Sequence, residues 1–509
     1  MIRTTLAMLL MSAPSTAFAC GGLFCNSVPG TPGPPVVQNA ERIAFGVDGS
    51  TIEAHVQIFY EGDPIDFAWV VPVPSEPELL LGSDALFDVL ADQTRPQFIV
   101  EFAEEGRCTP RQPVRLGCAA DFALSADTDR GGIVDTGNGV DIIDESQVGP
   151  FETVTLKADS ATQLLDWLQD NNYELPDDLD PILAPYVAGN SYFVALRLQN
   201  DRDTGDIEPI VMRYQGEKGM IPVQLTAIAA ADDMPFEVYV FGGSRAVPEN
   251  YLHVVPNPAA IDWLSAGSNY GEVVTRAVDA AGGKAFVTDF AGSPAYMQGE
   301  VARVASVMAV EAGETLSTEQ LEAVNRAEEL LEYGMLTRLS TSMSATDMDL
   351  DPLFVFNPDL PNVSRTQTAT VTWDCRGKRV YADAYRTIEL PDGQVMLMPS
   401  NNDLPDPIED PDDTGFNFGF QYQDSAAYLA AYDVPAMRIE RTGNSGEPSV
   451  EADNTEAAAD VLKAHNEDVV QLIRAGVGPG PGCAMSPQSG GLAVGWMVIL
   501  LASIRRRQG

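Results

Sequence analysis

Polar chemistry gathers in this sequence around His253. Arg245, Glu249 and Asn250 precede it and Asn257 follows, in a proline-punctuated stretch directly after the strand-like run 236–241. Loops after strands are where rigid scaffolds present polar groups. An imidazole with a carboxylate four residues away has the parts of a general acid–base pair. Glu249 and His253 are therefore the candidate catalytic residues, set against the alternative that the prolines shape a structural turn. The other two histidines suit a solvated surface: His55 sits on the polar side of an alternating strand, and His465 in a helix between Lys463 and Glu467. Asp347, Asp349 and Asp351 alternate as the acids of a calcium loop do. Pro352 and Pro358 stand where an EF-hand needs Gly and Glu, which excludes that motif and leaves an irregular calcium site as the candidate metal site. Asp127 with Asp129, and the run Asp403 to Asp413, are acidic loops of the same kind.

A hydrolytic triad needs a nucleophile, a base and an orienting acid that converge in space. No G-x-S-x-G, P-loop, H-E-x-x-H or G-x-G-x-x-G is present, so no cofactor is expected apart from calcium. Gly443-Asn444-Ser445-Gly446-Glu447-Pro448 is similar to the nucleophile loop of chymotrypsin-like proteases. It departs at two positions and lies in a polar stretch without a matching histidine. The six cysteines contain no C-x2-C pair, which argues against zinc, and in an exported chain they are read as disulfides. Cys108 and Cys118 bracket a short loop and are the expected pair. Cys20, Cys25 and Cys375 hold one further pair with one left over, while Cys483 belongs to the C-terminal segment.

The elements that must position these groups read as α+β, with prominent antiparallel sheet and helical insertions. Ile52, Ala54, Val56 and Ile58 alternate with Glu53, His55 and Gln57, and the turn-forming Glu61 to Pro64 leads to Phe67–Val73, predicting an antiparallel hairpin with one wet face. Further strands are expected at 192–198, 207–214, 221–228, 236–241, 369–373 and 380–390. Ser83 and Ser160 begin short helices, and Ser317 with Gln320 forms a capping box before another. Helical patterns recur at 259–264 and 272–281. The pattern divides the chain into a signal peptide (1–19), a β-rich domain (20–258), an α+β region (259–400), an acidic Pro/Asp-rich linker (401–455), an amphipathic helix with a Gly/Pro tether (456–482) and a C-terminal segment (483–509).

A formal charge of −44 over 509 residues makes nucleic acid and anionic lipid unsuitable partners, because a field of that sign repels phosphate. Only five residues are lysine, Lys157, Lys218, Lys284, Lys378 and Lys463. Such a surface stays hydrated and can collect divalent cations, and a surface kept soluble by its charge has the same composition.

Both ends carry address signals. Arg3, the apolar run 6–11 and Ala17-Phe18-Ala19 form a signal peptide cleaved after Ala19. At the other end, Cys483, a short apolar run (492–504) and Arg505, Arg506 and Arg507 resemble the bacterial MYXO-CTERM sorting signal, which implies processing and anchoring at Cys483. The run is short for a stable membrane-spanning helix. The motifs Cys20-Gly21-Gly22 with Cys25, Gln38-Asn39-Ala40-Glu41-Arg42, Phe67-Ala68-Trp69-Val70-Val71-Pro72-Val73-Pro74, Ser83-Asp84-Ala85-Leu86-Phe87 and Arg245-Ala246-Val247-Pro248-Glu249-Asn250-Tyr251 resemble a secreted bacterial family known only as a domain of unknown function, from Cys20 to about Leu390. That resemblance implies no activity. The expected protein is an exported binding or structural protein at the surface or outer membrane of a Gram-negative bacterium, facing an envelope or extracellular partner and touching membrane only through its tail. A secreted hydrolase with its site near His253 is the alternative.

The mature protein is expected to begin at Cys20 and to lose the residues after about Cys483. Intact-mass measurement of protein released from the producing cell reads this directly; retention of the stretch from Leu492 to Gly509 would contradict the sorting-tail half.

Overall fold

The structure is a computed structural model that describes residues 25–26, 37–61, 68–106, 140–171, 173–175, 179–199, 207–375, 386–398 and 431–474. Its fold is α+β. A ten-stranded mixed sheet forms the centre, in the order Ser449–Asp453, Ala436–Arg441, Leu252–Pro256, Ala285–Gly292, Met335–Met343, Met234–Gly242, Val37–Asp48, Thr51–Glu61, Ile210–Gln215 and Glu78–Leu81. A second, antiparallel sheet of four strands runs Ala68–Val73, Tyr192–Leu198, Phe151–Ala158 and Val140–Val148.

Side-chain alternation stacks these sheets between helices. Ile43, Phe45, Val238 and Val240 pack against Trp69, Val71, Val194 and Leu196 of the smaller sheet. The opposite face of the large sheet, with Ala44, Tyr239 and Phe241, is covered by the helices Asp84–Thr94, Glu300–Ala312 and Thr318–Leu330. The outer face of the small sheet, with Ala68, Val70, Phe193 and Ala195, lies under the helices Ala161–Asp170 and Asp180–Ala188. A strand covered on both sides has no wet face, which is why Ala68–Val73 is buried at every position and reads as an unbroken apolar run. Further along, Gln97–Gly106 pairs in parallel with Thr366–Cys375, and the C-terminal helix Thr455–Arg474 docks on Val395–Met398 through Asn466 and His465.

Several sequence expectations change in this setting. The hairpin partner of Thr51–Glu61 is Val37–Asp48, while Ala68–Val73 belongs to the other sheet and pairs with Tyr192–Leu198. The side of Thr51–Glu61 that reads as wet is roofed by helices: His55 is fully buried and held to Glu53 at 2.8 Å. Only a three-residue turn, Pro258–Ala260, forms where a helix was expected at 259–264. The large sheet draws strands from both sides of residue 258 and from within 401–455. The capping box at Ser317 and Gln320 is present, Ser160 caps its helix through Gln163 N, and Ser83 occupies a cap position without a side-chain cap bond.

Polar groups under the helix layer are paired across strands. Glu237 accepts from Arg42 at 3.1 Å, Arg338 at 2.9 Å and the Tyr239 hydroxyl at 2.8 Å. Buried Asp289 accepts from the Tyr270 hydroxyl at 2.6 Å and from Ser340, and lies 3.3 Å from Arg338. Glu41 is different, because it points into the apolar space between the two sheets. A bulge between Gln38 and Ala40 brings Gln38 within reach of Glu41, and the Gln38 amide donates to its carboxyl at 2.9 Å. A cavity of about 20 Å³ beside it, lined by Phe45, Trp69 and Tyr214 among others, has the size of roughly one water. Burial pushes the Glu41 carboxyl up to about 7 from the usual 4.5, against the opposing pull of that hydrogen bond. The Gln38 side-chain oxygen Oε1 is buried without a partner among the described residues, and a neutral acid can donate to it where a carboxylate cannot.

The unfolded chain releases this proton near 4.5, whereas the folded protein keeps it to about 7. The folded state therefore binds more protons within that window, and its contribution to stability falls as pH rises through it. Glu41→Gln should remove a loss of about 3 kcal/mol between the two ends. Urea unfolding of both proteins across the window checks this, and parallel stability curves would contradict it.

Candidate functional site

Three neighbouring strands build the surroundings of His253. His253 on Leu252–Pro256 lies directly opposite Glu440 on Ala436–Arg441 and beside Phe286 on Ala285–Gly292, in whose strand Thr288 is two residues further on the same face. His253 Nδ1 is 3.3 Å from Glu440 Oε2, and Nε2 is 3.1 Å from Thr288 Oγ1. Arg245, from the short strand Arg245–Pro248, donates to Thr288 Oγ1 at 3.1 Å and to the Pro361 carbonyl at 3.2 Å. His253, Arg245 and Glu440 are buried, and Thr288 keeps partial exposure. The hydrogen bond from His253 holds the Glu440 carboxyl below its ordinary range, with the charges of Arg438 and Arg245 adding to the effect.

Glu249, the expected partner of His253, does not join this group. Its carboxylate is held by Lys218 at 2.7 and 2.8 Å in a half-exposed ion pair, and Asn250 ties the following loop to Asp351 O and Leu353 N. The three aspartates proposed for calcium are likewise drawn apart. Asp347 caps a turn at Ser344, Asp349 pairs with Lys284 at 2.6 Å, and Asp351 accepts from the Tyr186 hydroxyl at 2.6 Å and from Gln224 N. Among the described residues no group of three or more His, Cys, Asp or Glu is arranged to hold a metal. Cys25 and Cys375 lie on separate strands, paired with Glu174 and Gly106. Cys20, Cys108, Cys118, Cys483, Asp127, Asp129, Asp403 to Asp413 and both terminal signals lie outside the described residues.

Thr288 and Glu440 were not legible as partners because they lie 35 and 187 residues from His253. A signal was present in the alternation of each strand. Thr288-Asp289 interrupts an apolar run, and Arg438 and Glu440 alternate with Met437 and Ile439, a pattern that reads as a solvent face until another layer covers it.

A large cleft lies at the other end of the sheet order, beside the edge strand Glu78–Leu81. This cleft of about 730 Å³ is walled by the amino ends of the helices Asp84–Thr94 and Thr318–Leu330 and by the face of Glu300–Ala312 that carries Ala305, Met308, Ala309 and Ala312. Two glycines permit its tight walls. A side chain on Gly82 would meet Pro209 at 2.7 Å, and Gly149, at φ +54°, would drive one into Leu81 at 2.4 Å. Gln320 donates to Glu208 at 2.8 Å, and Glu319 accepts from Gly149 N at 3.1 Å. Asp84, Glu208, Glu314 and Glu319 line the cleft, and among the described residues no Lys or Arg does. Burial raises the Asp84 carboxyl to about 6, with Glu208 and Asp88 adding to the rise and a hydrogen bond from Gln57 opposing it.

A family model described as an uncharacterized protein conserved in bacteria (DUF2330) matches residues 14–333. That span includes the motifs from Cys20 to Tyr251 and stops short of the resemblance read to about Leu390. No curated protein and no solved structure matches the chain. The match spans more than half of the sequence, and the chain therefore belongs to the DUF2330 family of uncharacterized bacterial proteins.

Proposed function

We propose that the protein is an exported binding module, tethered at the bacterial cell surface, that receives a positively charged segment of an envelope or extracellular partner in the cleft beside Asp84. The observation that carries this reading is the cleft's lining: the carboxylates of Asp84, Glu314 and Glu319 at its walls, no basic residue among the described lining residues, and an apolar floor from Ala305 to Ala312. Its volume lies within the range of ligand sites. Met308 on the floor is 38% exposed, a larger share than a core methionine shows. A basic side chain suits such a site, because its aliphatic stem covers apolar surface while its head meets carboxylates. The overall charge of −44 adds long-range attraction for such a partner. The signal peptide and the arginine-ended tail support the location.

A peptide alternating lysine with alanine should bind the purified protein more tightly than an uncharged peptide of equal length, and binding should weaken with added salt. Glu314→Gln and Glu319→Gln should each lower the affinity roughly fivefold at low ionic strength, the effect of about 1 kcal/mol per exposed ion pair. Titration calorimetry reads both. Equal binding of the uncharged peptide, or unchanged affinity in both variants, would contradict the assignment.

A further inference from the structure

We propose that Thr288, His253 and Glu440 form an acyl-transfer site of the esterase type, separate from the acidic cleft and independent of the binding role. The three side chains come from adjacent strands and make an unbroken relay: carboxylate to Nδ1 at 3.3 Å, and Nε2 to hydroxyl at 3.1 Å. Donor and acceptor roles are set by the neighbours. Glu440, close to Arg438 at 3.3 Å, accepts when the ring proton is on Nδ1, and the Nε2 lone pair then faces Thr288. Arg245 already donates to Thr288 Oγ1, so the hydroxyl proton is directed to Nε2. A hydroxyl with a base on its proton and a guanidinium against its oxygen is an activated nucleophile.

Two further observations favour a reactive site over a packing cluster. Arg245, only 8% exposed, buries its Nε without a hydrogen-bond partner among the described residues. An unused buried donor is costly unless something supplies an acceptor, and the oxygen that develops negative charge in acyl transfer is such an acceptor. The strand pairing also shifts register between Thr288 and Phe290, a bulge of the kind that re-aims side chains at sites. Thr288 alone of the relay keeps partial exposure, as a group that meets substrate must.

In the reaction, Thr288 Oγ bonds to the ester carbonyl carbon as His253 Nε2 takes the hydroxyl proton. The tetrahedral intermediate collapses, the ester C–O bond breaks, and the same proton passes to the departing alcohol. Water then attacks the threonyl ester, giving its proton to Nε2. Release of the carboxylic acid returns that proton to Thr288 Oγ. Thr288 and His253 are catalytic in this scheme, and Glu440 positions the ring.

The test uses the purified full chain with p-nitrophenyl acetate and butyrate, and separately with a fluorophosphonate probe whose fluoride Thr288 Oγ would displace. Wild type should turn over the esters above the buffer rate and Thr288→Ser should keep turnover. Thr288→Val should lose at least about 100-fold, and Glu440→Gln should lower kcat with KM unchanged. The probe mass should fall on the tryptic peptide from Ala285 to Arg303. Label localisation and Thr288→Ser decide the matter if Thr288→Val does not fold. Folded wild type with neither turnover nor label would overturn the proposal, as would folded Thr288→Val with undiminished turnover.

Discussion

Coverage of the ten-stranded sheet on both faces is the constraint that the rest of the molecule answers to. One face is closed by the four-stranded sheet through Ile43, Phe45, Val238 and Trp69, the other by three helices over Ala44, Tyr239 and Phe241. A charge on such a sheet has no water to turn to, so it must be paired, neutralised or placed at an edge. Each solution occurs. Glu237 and Asp289 are paired with Arg338 across neighbouring strands, Glu41 is pushed toward its neutral form, and the carboxylates of the cleft gather beside the edge strand Glu78–Leu81.

The same constraint separates the two regions with chemical potential. The cleft opens where the sheet ends and two helices present their amino ends, so its walls are polar and its floor is the small-residue side of Glu300–Ala312. The His253 group spans the second to fourth strands from the opposite edge, on the face shared with the four-stranded sheet, where Tyr251 and Phe286 are packed with ring centroids 5.6 Å apart. One region is an open acidic cleft. The other holds a few side chains in fixed geometry, with little of their surface open.

Local signals in the sequence predicted several elements, although the strand expected at 221–228 gives way to the helix Val223–Thr226. The Ser317–Gln320 capping box, the strand Met234–Gly242 and the terminal helix Thr455–Arg474 follow from spacing alone, as does the α+β class. Pairing was not legible: Ala68–Val73 follows Thr51–Glu61 along the chain yet joins a different sheet, because nothing local records which surface lies above a strand. His55 shows the limit most clearly. Its alternation with Ile52, Ala54 and Val56 is that of a solvent face, and only the helix layer makes it a buried residue. The candidate site suffered in the same way, since His253 was found from its local context while Glu440 and Thr288 are neighbours only through sheet registry.

If the two sheets and their helix layers share one core, they must open together. Native-state hydrogen exchange resolved by residue tests this most directly. Amides of Val37–Asp48, Met234–Gly242, Ala68–Val73 and Tyr192–Leu198 should exchange last, with a common free energy and a common dependence on denaturant. Exchange of Ala68–Val73 and Tyr192–Leu198 well before the strands of the large sheet would show that the small sheet opens on its own, and would contradict the account.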